Sequence, residues 1–101
     1  MIHVLASIEV KPGKRAEFIE LFKGNVPNVL AEDGCVEYAP AVDVADGPAF
    51  QVVEERVVTV IEKWSSLSAL EAHLEAPHML TFREQVKDLV ERVTAKVLED
   101  A

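Results

Sequence analysis

The sequence predicts an α+β fold in which helices cover one face of an antiparallel sheet. Three observations carry this. Period-2 apolar alternation marks the first segment and a strand-sized apolar run, Val57 to Ile61, the middle of the chain, apolar residues recur at helical spacing elsewhere, and turn residues separate the patterns.

Ile2, Val4, Ala6, Ile8 and Val10 fall on one side of an extended first segment, which reads as a strand. Lys11-Pro12-Gly13-Lys14 breaks it, and from Arg15 to Glu32 the residues Phe18, Ile19, Phe22, Val26, Val29 and Leu30 have helical spacing, with a kink expected near Gly24 and Pro27. Glu32-Asp33-Gly34 stops this helix, and a second strand is expected from Cys35 to about Val42. Asp46-Gly47-Pro48 marks the following loop, and a third strand runs from Gln51 or Arg56 to Trp64. Ser65-Ser66 offers an N-cap for a short helix whose Leu67, Leu70 and Leu74 lie within about 60° of arc and which Pro77 is expected to end. From His78 to Glu91, Met79, Phe82, Val86, Leu89 and Val90 form an amphipathic stripe about 100° wide, and Arg92 to Glu99 is the last strand. The order β-α-β-β-α-β is the split βαβ, or ferredoxin-like, arrangement.

Strand three is apolar on both sides, with Val57, Thr59 and Ile61 against Val58 and Val60, and strand one adds Leu5 to its second face. A sheet covered by helices on one side only would alternate apolar with polar, so the second face needs a covering layer. A second copy of the chain packed sheet to sheet supplies it, and a homodimer is expected.

Composition bounds the function. The 101 residues make one domain, 1–101, with no room for a separate cofactor module, and half of them are hydrophobic, enough for a core. Ten Lys and Arg against 18 Asp and Glu leave a net charge of -8, the wrong sign for a phosphate backbone, so nucleic acid is not an expected partner. No run approaches the ~20 apolar residues of a membrane span, no signal-like segment opens the chain, and the single Cys35 cannot make an intramolecular disulfide; a cytoplasmic protein is expected. The four scattered glycines include no phosphate-cradling turn, which disfavours nucleotide cofactors, and a His-x4-His pair interrupted by Pro77 is not a metalloprotease motif, so no metal is expected. Cys35, in an apolar strand, reads as a buried inert thiol, Ser65 and Ser66 as caps, and His3 as solvated or at the dimer face.

The chemistry-bearing residues cluster where strand three hands over to helix: Glu62, Trp64, His73 and His78 lie within 17 residues. Imidazole exchanges protons near neutral pH, and indole offers a flat apolar wall to an aromatic ligand. The bland alternatives are a half-buried structural histidine and a core tryptophan. Tyr38 is equally a core filler or a hydroxyl aimed into the same cavity.

These residues carry a resemblance. Val4-Leu5-Ala6 through Lys11-Pro12-Gly13, Val26-Pro27, Glu32-Asp33-Gly34-Cys35 with Tyr38-Ala39-Pro40, Ile61-Glu62-Lys63-Trp64, and Leu70-Glu71-Ala72-His73-Leu74 with Pro77-His78-Met79 resemble the antibiotic biosynthesis monooxygenase family, and within it the small bacterial quinol monooxygenases. The resemblance covers nearly the whole chain. It implies a dimeric α/β barrel and oxidation of quinols (menadiol-like) or related hydroxyaromatics by O2 with no cofactor, since a deprotonated dihydroxyaromatic can itself reduce oxygen. It also implies His73 as proton acceptor, with Trp64, Tyr38 and His78 as substrate-binding residues. Haem-degrading relatives carry an asparagine where Ala6 stands, which points away from haem. Two other activities stay open at this level: isomerisation or degradation of a small signalling molecule, and non-catalytic binding of quinones by a dimeric stress-response module.

Overall fold

The computed structural model describes residues 1–101, in the order β1 (Ile2–Val10), α1 (Arg15–Leu30), β2 (Cys35–Ala41), β3 (Val57–Trp64), α2 (Leu67–Leu74), α3 (Pro77–Val86) and β4 (Val90–Glu99). The four strands form one antiparallel sheet in the order β2-β3-β1-β4, so the two central strands are β3 and β1, both rich in β-branched residues. The α+β, ferredoxin-like reading therefore holds.

Register decides which side chains share a face. Val4, Ala6 and Ile8 of β1 lie opposite Glu62, Val60 and Val58 of β3 and opposite Val97, Ala95 and Val93 of β4, and Tyr38 of β2 lies opposite Glu62. This is the face the helices cover. Phe18 and Phe22, four residues apart on α1, meet Phe82 of α3 with ring centroids 6.0 and 5.7 Å away, and Phe22 stacks on Tyr38 at 5.1 Å. Helix α1 runs unbroken through Gly24 and Pro27 and ends at Leu30, two residues before the expected Glu32.

The chain then turns through Gly34 at φ 83°, a left-handed conformation that suits glycine. A Cβ there would stand 2.6 Å from both Ala69 Cβ and Ser65 Oγ, so glycine also lets the turn press against the start of α2. The Ser65 N–H donates to the Gly34 carbonyl at 2.8 Å, and Ser66 caps α2 by accepting from the Ala69 N–H at 3.1 Å.

The helical region departs from expectation in three places. Leu67 and Leu74 are about half exposed, and α2 instead buries Leu70 and His73. Pro77 does not end α2; it opens α3 at the first turn, where its missing N–H costs nothing. The stripe from His78 to Glu91 is cut at Val86: Leu89 is a buried turn residue whose carbonyl accepts from the Lys11 N–H, and Val90 already pairs with Val10, so β4 starts two residues earlier than Arg92. Strand β3 likewise starts at Val57, after the residues from 51 to 56.

The other face of the sheet is uncovered. Leu5 and Leu98 are 43% and 42% exposed, and Val57, Thr59 and Ile61 are half-buried among neighbouring strands. His3 lies on this face with its Nε2 2.8 Å from Asp100 Oδ1, a contact that holds the Asp100 carboxyl below the usual carboxylate range.

Candidate functional site

Between the covered face and helices α2 and α3 lies a cavity of about 520 Å³, within the ligand-pocket range of roughly 300–1,000 Å³. Its walls are apolar, 16 of 20 lining residues being hydrophobic, with Arg83 and Lys87 of α3 the cationic members. Its floor is the sheet. There Ala6 of β1 and Ala95 of β4 face each other in register, so between Val4–Val97 and Ile8–Val93 the floor carries only methyl groups.

Three polar side chains converge on this apolar space: Tyr38 from β2, Glu62 from β3 and His73 from α2. All three are at least nine-tenths buried, yet each keeps one polar atom without a protein partner: the Tyr38 hydroxyl, Glu62 Oε2 and His73 Nε2. No fully buried side-chain nitrogen or oxygen is left without a hydrogen bond, so these three atoms, on residues that line the cavity, keep some accessible surface instead of being sealed in protein. Burial, then the fields of Glu62 and Glu32, push the Tyr38 hydroxyl well above the usual phenol range. Burial also raises Glu62, opposed by its bond from Trp64 and the nearby His73.

His73 is held from behind. Its ring lies 4.6 Å from the Trp64 ring and 5.4 Å, edge to face, from Tyr38. Trp64 is fully buried, does not line the cavity, and donates its Nε1–H to Glu62 Oε1 at 3.0 Å. The expected flat wall for a ligand is thus a backing for His73 and Glu62, because the last residue of β3 points under α2 and not into the open space. His78 also stands outside the cavity. It borders a separate polar recess of about 380 Å³ between α1 and α3, with Glu20, Asn25, Asn28, Thr81 and Gln85.

The two histidines nevertheless meet at one atom. Glu32 Oε2 lies 2.9 Å from His73 Nδ1 and 2.7 Å from His78 Nε2, and the Glu32 side chain is only 13% exposed. The sequence places Glu32 in a helix stop and in one of the blocks that carry the resemblance, without marking it as a site residue. The signal that could have found it is the pair His73 and His78 itself, two imidazoles bracketing a helix start, which need an acceptor once buried. The Gly34 turn supplies it by folding Glu32 back toward α2. No group of three or more His, Cys, Asp or Glu side chains is spaced to hold a metal ion. Cys35 is half-buried rather than buried, and desolvation with the fields of Glu32 and Glu62 raises its thiol, which keeps it in the unreactive protonated form.

Chemically, the arrangement offers a mostly apolar compartment with one imidazole nitrogen, one carboxyl oxygen and one phenol at a single end. That suits a flat, largely apolar molecule carrying a hydroxyl to be deprotonated.

Known proteins share both sequence and fold with this chain. The family model described as "Antibiotic biosynthesis monooxygenase" matches residues 1–85. "Probable quinol monooxygenase YgiN" of Escherichia coli is 41% identical over 98% of this chain and 97% of its own length. The structure of Rv0793 from Mycobacterium tuberculosis superposes with a TM-score of 0.79 at 30% identity, over 99% of this chain and 94% of that one. PA3566 from Pseudomonas aeruginosa reaches a TM-score of 0.82 at 24% identity, over 99% and 93%, a likeness of fold.

Proposed function

The chain belongs to the antibiotic biosynthesis monooxygenase family, and from that premise we propose that it oxidises quinols, menadiol-like, or related hydroxyaromatics with O2, without a cofactor. The observation that carries this reading is His73, a deeply buried imidazole that lines a mostly apolar cavity sized for fused rings and whose Nε2 has no protein partner. A quinol hydroxyl placed against it gives up its proton, and the quinolate, in a compartment of low polarity, becomes electron-rich enough to reduce O2. In the monooxygenase outcome a quinol with a free ring C–H and one O2 become a hydroxyquinone and one water. One oxygen atom enters the ring, the other leaves with two hydrogens, and the substrate supplies all four electrons. Tyr38 and Glu62 are substrate-binding groups in this reading, Trp64 holds His73 in place, and His78 acts from outside the cavity.

The test is oxygen uptake by purified protein with menadiol, compared with the protein-free autoxidation rate. The expected result is uptake well above background that falls about 10²-fold or more in His73→Ala. Equal rates with and without protein would sink the reading.

We also propose that the working unit is a homodimer, sheet against sheet. Support comes from the uncovered face, where Leu5, Ile61 and Ala39 form an apolar line across three strands. No helix is long and apolar enough to cross a membrane.

A further inference from the structure

We propose that Glu32 is a positioning residue that fixes His73 with its proton on Nδ1, leaving Nε2 as the basic nitrogen in the cavity, and that His78 is the second donor that holds Glu32 in this role.

The argument starts from donor counting. An ionised carboxylate only accepts hydrogen bonds, so two ring nitrogens within 2.9 and 2.7 Å of the same oxygen must both carry hydrogen. For His73 this places a hydrogen on Nδ1. A neutral imidazole has only one, so Nε2, the ring nitrogen of this cavity-lining residue with no protein partner, carries the lone pair. The opposite tautomer would aim an N–H at the substrate hydroxyl and a lone pair at Glu32, and could not accept the proton. The same carboxylate stands ready to balance the imidazolium once the proton arrives, in a setting where His73 is 2% exposed.

His78 differs from His73 in every respect but its partner. It is about a quarter exposed, belongs to the polar recess and touches nothing in the apolar cavity. Its bond to Oε2 tethers the Glu32 side chain to α3, so α2, α3 and the Gly34 turn are joined at one oxygen. The other titratable groups about His73 are Glu62 on β3, Tyr38 and Cys35 on β2, and Arg83 and Lys87 at the α3 wall of the cavity. None of them is bonded to the imidazole.

As far as it concerns turnover, this proposal rests on the quinol reading above. The experiment therefore uses two readouts on the intact protein: nitrogen-15 NMR of histidine-labelled protein, which reports the tautomer of His73 directly, and kcat and KM for menadiol. Wild type should show His73 protonated on Nδ1. Glu32→Leu should lose that signature and lower kcat about 10²-fold with little change in KM, while Glu32→Asp, which keeps an acceptor, should recover part of both. His78→Leu should lower kcat several-fold and His78→Gln, whose amide still donates, should restore it; these two variants lie in the half-exposed recess and keep the test open if Glu32→Leu fails to fold. An Nε2-protonated His73 in wild type would overturn the proposal, as would unchanged kcat in Glu32→Leu or equal activities for His78→Leu and His78→Gln. If wild type shows the Nδ1 signature, Glu32→Leu abolishes it and neither protein turns over menadiol, the quinol reading fails and the positioning role stands.

Discussion

The two faces of the sheet are built from the same kinds of residue and meet different fates. On the helix-covered face Val58, Val60 and Trp64 are at most 1% exposed; on the other, Leu5 and Leu98 keep more than two-fifths of their surface in water, beside half-buried Val57 and Ile61. The polar exceptions are also opposite in kind. The covered face admits Glu62 and Tyr38, both lining the cavity, whereas the open face carries Lys63, Lys96 and Arg92, of which Lys63 pairs with Glu37 at 3.4 Å and Arg92 with Glu9 at 3.9 Å. One face therefore carries the core and the cavity, and the other leaves an apolar line interspersed with charged side chains.

The largest test of this division is Phe22→Ala. It removes a ring that touches Phe18, Phe82 and Tyr38 at once, and should destabilise the chain by about 3–5 kcal/mol in urea unfolding. A loss below about 1 kcal/mol would mean that this aromatic cluster is not the core of the covered face. Ile61→Lys, at the centre of the open face, should cost the single chain less than about 1 kcal/mol but halve the mass seen by sedimentation. An unchanged mass would remove the open face from the dimer.

The smallest effect is Glu62→Gln. Burial, countered in part by the Trp64 bond and by His73, raises the folded-state value of this carboxyl above its unfolded one, so the folded protein holds that proton more tightly. Its contribution is favourable below the ordinary carboxylate range and is lost as pH rises through the raised folded value. The Gln variant cannot ionise, can still accept from Trp64, and should be the more stable protein at pH 7, with the gap closing as pH falls below 4. Urea midpoints at the two pH values measure it, and a gap that widens in acid would contradict the assignment.

The central strands were legible because alternation is a local property: Val4, Ala6 and Ile8 against Val58 and Val60 needed no partner to be recognised. Helix α2 was not. In eight residues a leucine stripe and the true buried side differ by less than a turn, and docking over β3 chose Leu70 and His73 over Leu67 and Leu74. Val90 could serve a helix or a strand, and pairing with Val10 decided it. Of the residues named by type, His73 and Tyr38 line the cavity, whereas Trp64 and His78 do not, and spacing in the sequence carries no information about that depth. Glu32 is 41 and 46 residues from its partners, and an acidic residue in a Glu-Asp-Gly turn looks locally like any solvated one.

The paired methyl groups of Ala6 and Ala95 give the cavity a ruler. They sit on β1 and β4, whereas His73 and Glu32 belong to α2 and the turn after α1, so a larger side chain at either alanine shortens the floor, and under the proposed function is expected to shift preference from two fused rings toward one. In the quinol reading proposed above, substrate scope would then be set by bulk on β1 and β4 and proton chemistry by the carboxylate after α1, so the two could be varied separately.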